Sequence, residues 1–217
     1  MKIISLPDLH ARTGMLTKMK DQLKNADAVI LCGDITHFGH EQEVQEIIGL
    51  VRTMNENILA VSGNCDFPDV ERYLVRENYS VNAMLKLFSG YVFLGISGSL
   101  PCPGRTPNEY SEAEYAVILN AIKIPSGEPL ILVSHQPPYD TCNDEVSPGF
   151  HVGSKVIRQF IEEKQPVVCF TGHIHEGTGI DYIGRTAVVN PGPAGKGGYA
   201  WADFSDAHAI KLEVRHV

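Results

Sequence analysis

No stretch of this 217-residue chain approaches the roughly 20 consecutive apolar residues that a membrane-spanning helix requires. The first residues run straight into an apparent strand, Lys2-Ile3-Ile4-Ser5-Leu6, without the layout of a secretory signal. A cytoplasmic protein with no membrane partner is therefore expected. Positive charge is also in short supply, with 18 Lys+Arg against 26 Asp+Glu and a formal charge of −8. Long polyanions are held by clustered Lys and Arg, so no nucleic-acid groove is expected. The five cysteines, Cys32, Cys65, Cys102, Cys142 and Cys169, include no Cys-x-x-Cys pair, which reads as reduced thiols rather than a disulfide framework. Repeats, low-complexity tracts and linkers are lacking as well, and residues 1–217 are expected to form one domain. What is present is ordinary: 43% hydrophobic and 20% charged residues, enough for a sizeable core.

Short apolar segments alternate with amphipathic ones through the first third. Ile3–Leu6, Ala28–Cys32 and Ile58–Val61 read as strands, and 15–24 and 41–54 as helices, the second with Val44, Ile47, Ile48 and Val51 on one stripe. This alternation implies parallel βαβ units buried on both faces. Residues 83–88 and 91–96 flank Ser89-Gly90 as a hairpin. Helices over 111–122 and 152–164 and strands over 130–133 and 166–170 follow. The tail, 180–214, is strand-rich with Gly and Pro punctuation, suggesting antiparallel pairing. The fold class expected is α/β, with two mixed sheets sandwiched between helices.

Polar residues collect just past these strands. Asp8-Leu9-His10 follows the first, Gly33-Asp34 the second, Gly63-Asn64-Cys65-Asp66 the third, Ser134-His135 the strand at 130–133, and Gly172-His173-Ile174-His175 the strand at 166–170. Ligands of α/β sheets bind beyond the carboxyl ends of strands, where neighbouring parallel strands would gather these segments. On extended backbone, residues i and i+2 point to the same side, so Asp8 with His10, and His173 with His175, would each offer two groups to one place. Any one of these short motifs is weak. Five of them, each directly after a buried strand, are hard to attribute to chance.

The ordered set Asp-x-His, Gly-Asp, Gly-Asn, His and Gly-His-x-His resembles the calcineurin-like metallophosphoesterase superfamily. Ser134-His135-Gln136-Pro137-Pro138, His151-Val152-Gly153 and the run from Gly172 to Gly177 are similar to its small metallophosphodiesterases. The resemblance implies a four-layer α-β-β-α sandwich holding two divalent transition-metal ions (Mn, Fe, Zn, Co or Ni). One metal would take Asp8, His10, Asp34 and His175, and the other Asn64, His135 and His173, with Asp34 bridging the pair. It further implies hydrolysis of a small phosphorylated substrate, a phosphodiester more readily than a phosphomonoester, by in-line attack of a metal-bridging hydroxide. A different class of function is a metal-bearing interaction scaffold without hydrolysis. All seven ligand positions carry competent side chains, which favours the enzyme.

One departure bears on mechanism. Many superfamily members carry His directly after Gly-Asn, where it assists the leaving group, whereas this chain has Cys65. A thiol is a weak hydrogen-bond donor. Candidate acid/base groups are therefore Cys65 itself, His151 in a Gly- and Pro-rich loop, and His37, three residues past Asp34. Asp66 is expected to orient a neighbour. The run from Gly192 to Gly197 superficially suggests a phosphate loop, but Asn190 and Gly197 stand where a Walker A motif needs Gly and Ser or Thr, so a turn near the site is expected.

Overall fold

Alternate residues of β1 (Lys2–Leu6), β2 (Ala28–Cys32) and β3 (Ile58–Val61) enter two different cores. Ile4, Leu6, Val29, Leu31, Ile58 and Ala60 pack outward against helices, whereas Ile3, Ile30, Cys32, Leu59 and Val61 pack inward against a second sheet. This two-residue period explains why the strands read as continuous apolar runs: both faces are buried. The computed structural model describes residues 1–125, 127–205 and 210–217. Residues 206–209 of the predicted strand-rich tail lie outside them.

The outer layer on this side contains α1 (Gly14–Lys18), α2 (Lys20–Asn25), α3 (Glu41–Arg52) and α4 (Pro68–Arg76). The helix predicted over 15–24 is two helices meeting at Met19, a break that still lets Leu16, Met19 and Leu23 reach the core. No helix is expected from the sequence where α4 lies. Its Pro68 starts the helix, where the missing N–H costs nothing, and Val70, Tyr73 and Leu74 are its buried face.

The second sheet contains β4 (Leu85–Phe88), β5 (Tyr91–Ile96), β6 (Leu130–Ser134), β9 (Val168–Thr171), β10 (Gly179–Ile183) and β11 (Thr186–Asn190), in the order β10-β11-β9-β6-β5-β4. A small ribbon of β7 (Glu145–Ser147) and β8 (Phe150–His151) interrupts the numbering. Phe93, Ile131, Val133, Val168, Phe170 and Val189 face the first sheet. Leu94, Leu132, Cys169 and Val188 face α5 (Glu112–Ala121) and α6 (Lys155–Lys164). The result is the four-layer α-β-β-α sandwich, with Cys32 and Cys169 as buried hydrophobes.

The first sheet is completed by β12 (Gly198–Asp203) and β13 (Lys211–His216), in the order β13-β12-β1-β2-β3. The tail is therefore antiparallel in its pairs β10–β11, β12–β13 and β1–β12, but β11 joins β9 in parallel. The second sheet is mixed because antiparallel edge pairs, β10–β11 and β4–β5, flank the parallel strands β11, β9, β6 and β5. Ser89 and Gly90 both have positive φ, as a tight two-residue hairpin turn needs. Because β1, β2 and β3 run parallel, and so do β5, β6 and β9, the loops after each set leave from one edge of their sheet.

Candidate metal centre

The loops after β1, β2, β3, β6 and β9 are stitched together at their first residues. The Asp8 amide donates to Gly33 O (3.0 Å), the His10 amide to Asp34 O (2.8 Å), and the Gly172 amide to His135 O (3.3 Å). The Cys65 amide donates to Asp34 Oδ1 (2.8 Å), and the His173 amide to the Asp8 carboxylate (3.1 Å to Oδ2). All seven residues singled out in the sequence meet here. Asp8, His10 and His175 present ligand atoms to one another, and so do Asp34, His135 and His173. Asn64 joins the second group through Oδ1, 3.0 Å from His135 Nε2. Asp34 stands between the groups, with Oδ2 3.6 Å from His10 Nε2 and Oδ1 3.4 Å from His135 Nε2.

The pairs Asp8/His10 and His173/His175 do not converge through extended backbone. Asp8 (φ 54°), His10 (φ 46°), Asp34 (φ 47°) and His173 (φ 68°) occupy the left-handed region. Such residues cost on the order of 1–3 kcal/mol each and persist where the surroundings over-determine them. Tight turns rather than strand alternation aim these side chains. Glycine is obligatory beside them. A Cβ on Gly33 would lie 2.2 Å from His135 Nδ1, and one on Gly63 2.1 Å from Asp34 Oδ1.

The lone pairs of the second group face one another. His135 Nδ1 lies 3.0 Å from the Cys32 carbonyl, an acceptor only, so in a neutral ring it is that nitrogen which carries the hydrogen. The opposite nitrogen, Nε2, then offers a lone pair, and it lies 3.0 Å from Asn64 Oδ1 and 3.4 Å from Asp34 Oδ1. With the ring in that form, three lone-pair donors converge, an arrangement that a cation satisfies. An imidazole whose other N–H is tied to a backbone carbonyl is also the usual way a ligating histidine is oriented. The mixture of carboxylate, amide oxygen and imidazole donors suits a divalent transition metal.

The electrostatics of the site divide. Burial lowers His10 to about 4 and His173 to about 3, so both rings are neutral at physiological pH with lone pairs free. Burial also pushes the Asp34 carboxyl up, against the pull of His135. For Asp8 burial is outweighed by the hydrogen bond from His175 and by the nearby imidazoles, and its carboxyl lies below the usual range. His175 is raised in turn by that bond to Asp8.

The other predicted candidates divide. Cys65 is at the site: its Sγ lies in one group with the ligand atoms of His10 and Asp34. Burial and the adjacent Asp34 raise the thiol far above its ordinary range, so it is a neutral S–H. His37 is also there, with Nδ1 3.4 Å from His10 Nδ1 and its ring edge-on to the His10 ring. His151 is engaged by other partners. Its Nδ1 bonds Asp144 (2.8 Å) and its ring meets Tyr139, with no contact to the seven among the described residues. Asp66 accepts from the amides of Ile35, Thr36 and Gly63, fixing the loops after β2 and β3. The run from Gly192 contains a short 3-10 turn, Ala194–Lys196, tied to Pro7 O and Asp8 O by the amides of Ala194 and Gly195.

A cavity of about 300 Å³ opens on the Asp8, His10 and His175 side, with His37 on its wall. Arg12 and Lys196 also line it, and the sequence reading named neither as a site residue. They are 184 positions apart, and no motif connects them. Cys102 is a second omission: its Sγ lies 3.8 Å from His173 Nε2.

A four-layer sandwich with histidine, carboxylate and amide side chains gathered at its strand ends is an arrangement suited to holding divalent metal. The chain belongs to the calcineurin-like phosphoesterase family, whose model matches residues 1–177. It is 41% identical over 199 residues to the uncharacterised protein MJ1162 of Methanocaldococcus jannaschii, covering 89% of this chain and 88% of that one. Among solved structures it is similar to TT1561 of Thermus thermophilus (TM-score 0.73, 18% identity, 99% of this chain and 98% of that one). It also resembles the purple acid phosphatase PPD1 of yellow lupin, Lupinus luteus (TM-score 0.64, 13% identity, 99% of this chain and 51% of that one). At these identities the structural likenesses show the fold.

Proposed function

We propose that the chain is a dinuclear metal-dependent phosphoesterase acting on small phosphodiesters by in-line displacement. Asp8, His10, Asp34 and His175 would hold one metal, and Asn64, His135 and His173 the other, with Asp34 shared. The observation that carries this reading is the convergence of Asn64 Oδ1 and Asp34 Oδ1 within 3.4 Å of His135 Nε2, while the other His135 nitrogen is tied to the Cys32 carbonyl. Divalent cations in this cage would polarise a phosphoryl oxygen and acidify water for attack.

The protein's own residues set the geometry. Cys32 O fixes the His135 ring, His37 orients His10, and Asp66 holds the loops that carry Asp34 and Asn64. With a neutral thiol at Cys65, the site lacks a strong proton donor at that position. A monoanionic diester with an acidic leaving group needs little protonation, which favours diesters over alkyl monoesters. The test is hydrolysis of bis(p-nitrophenyl) phosphate by chelator-treated protein with and without added Mn²⁺. Activity that appears only with metal supports the reading. A folded protein inert on diesters and monoesters with every transition metal tried would instead favour the scaffold alternative.

A further inference from the structure

The cavity beside Asp8, His10 and His175 is also lined by two cations that the proposed chemistry does not use. Arg12 stands in the loop after β1 and Lys196 ends the 3-10 turn before β12. Both are exposed, and neither takes part in any ion pair found among the described residues. Asp8, the one carboxylate lining the same cavity, is already engaged by His175 and the His173 amide. Two cations lining one cavity, with no ion pair among the described residues, form a local reversal of sign in a chain of formal charge −8.

The Arg12 stem is seated rather than free. A Cβ at Gly195 would come within 3.1 Å of Arg12 Cβ and 3.3 Å of its Cδ, besides lying 2.5 Å from Leu9 O. The side chain therefore lies against the bare backbone of the turn that also carries Lys196. The turn is anchored to Pro7 O and Asp8 O, so its position relative to the cage is fixed by backbone hydrogen bonds. The placement is one-sided: Asp8, His10 and His175 line this cavity, and Asn64, His135 and His173 do not. An anion drawn to Arg12 and Lys196 would therefore lie beside Asp8, His10 and His175, next to the 3-10 turn.

We propose that Arg12 and Lys196 form a second anion subsite, and that the preferred diester carries a further phosphate group which this subsite binds. A guanidinium fork and an ammonium are the donors that recognise phosphate oxygens. The assignment rests on the phosphodiesterase reading for the scissile group, but the subsite itself is testable by binding alone.

A matched pair of substrates isolates it: thymidine 5′-(p-nitrophenyl phosphate) and the same diester with a 3′-phosphate. Metal-loaded wild type should show kcat/KM at least about tenfold higher for the 3′-phosphorylated diester, chiefly through KM. In the Arg12→Ala/Lys196→Ala double variant that advantage should fall below about threefold. Lys123→Ala/Lys211→Ala removes the same charge from exposed positions elsewhere and should keep the advantage. In calorimetry, wild type should bind thymidine 3′,5′-bisphosphate more tightly than thymidine 5′-monophosphate, and the Arg12/Lys196 variant should lose that difference. A wild-type ratio near one in both measurements would overturn the subsite, as would equal loss in the remote double variant. If neither diester is hydrolysed but the bisphosphate preference and its loss are seen, the diesterase reading fails and the subsite stands.

Discussion

A thiol at position 65 limits what the site can do for a leaving group. The Cys65 amide holds Asp34 Oδ1, and that is a backbone role any residue can fill. Its side chain is a neutral S–H, because burial and Asp34 oppose the thiolate. General-acid help from a well-placed group is typically worth about 10²–10⁴-fold, and a thiol of raised pKa supplies little of it. Cys65→His should therefore raise the rate on p-nitrophenyl phosphate or an alkyl monoester relative to the diester. Cys65→Ala should change diester kcat/KM by less than about tenfold. The comparison is made at saturating metal, and a collapse of diester hydrolysis in folded, metal-loaded Cys65→Ala would show that the thiol participates. At this scale the seven clustered side chains were legible because each directly follows a buried strand. Arg12, Lys196 and Cys102 were not, since they reach the cavity through the packing of separate loops. His151, also expected as a candidate for the leaving group, contacts Asp144, Asp140 and Tyr139.

His151 belongs to an element with its own pH dependence. It ends the β7–β8 ribbon, and its bond to Asp144 ties that ribbon to the loop whose amides, Thr141 and Gly153, also donate to Asp144. The hydrogen bond to Asp144 raises the imidazole above its usual value, against the opposing effect of burial. A raised histidine contributes stability that is fully present below its unfolded pKa and is lost as pH rises through the folded one. The melting-temperature gap between wild type and His151→Ala should therefore be wider at pH 5.5 than at pH 9. A gap that stays constant or widens with pH would contradict this role. Other elements show what a sequence pattern leaves out. The break at Met19 is silent because α1 and α2 share one buried stripe. α4 was overlooked although Pro68 at its start, Asp69 and Glu71 in its first turn and Arg76 in its last are the usual markers of a short helix. At α6, the predicted start at 152 moves to Lys155 because Ser154 caps the helix by accepting from the Ile157 amide.

Across the whole molecule, three apolar layers fix where the chemistry happens. The inter-sheet core brings the carboxyl ends of β1, β2 and β3 against those of β6 and β9, and the polar residues there have nowhere else to converge. The sandwich was legible because strands buried on both faces alternate with amphipathic helices. The mixed character of the tail was less so, because a parallel and an antiparallel neighbour impose the same two-residue period. Backbone strain at Asp8, His10, Asp34 and His173 had no sequence signal, since none is glycine. That strain is offset by the packing of the layers, and the element joining both halves of the cage is the Asp34 carboxylate. The most direct measurement is elemental analysis of wild type and Asp34→Asn, paired with bis(p-nitrophenyl) phosphate kinetics and a circular-dichroism check of folding. Wild type should carry about two metal ions per chain. Asp34→Asn should stay folded, carry clearly fewer, and lose at least about 10²-fold in kcat/KM. A folded Asp34→Asn protein with full metal occupancy and undiminished hydrolysis would contradict the account.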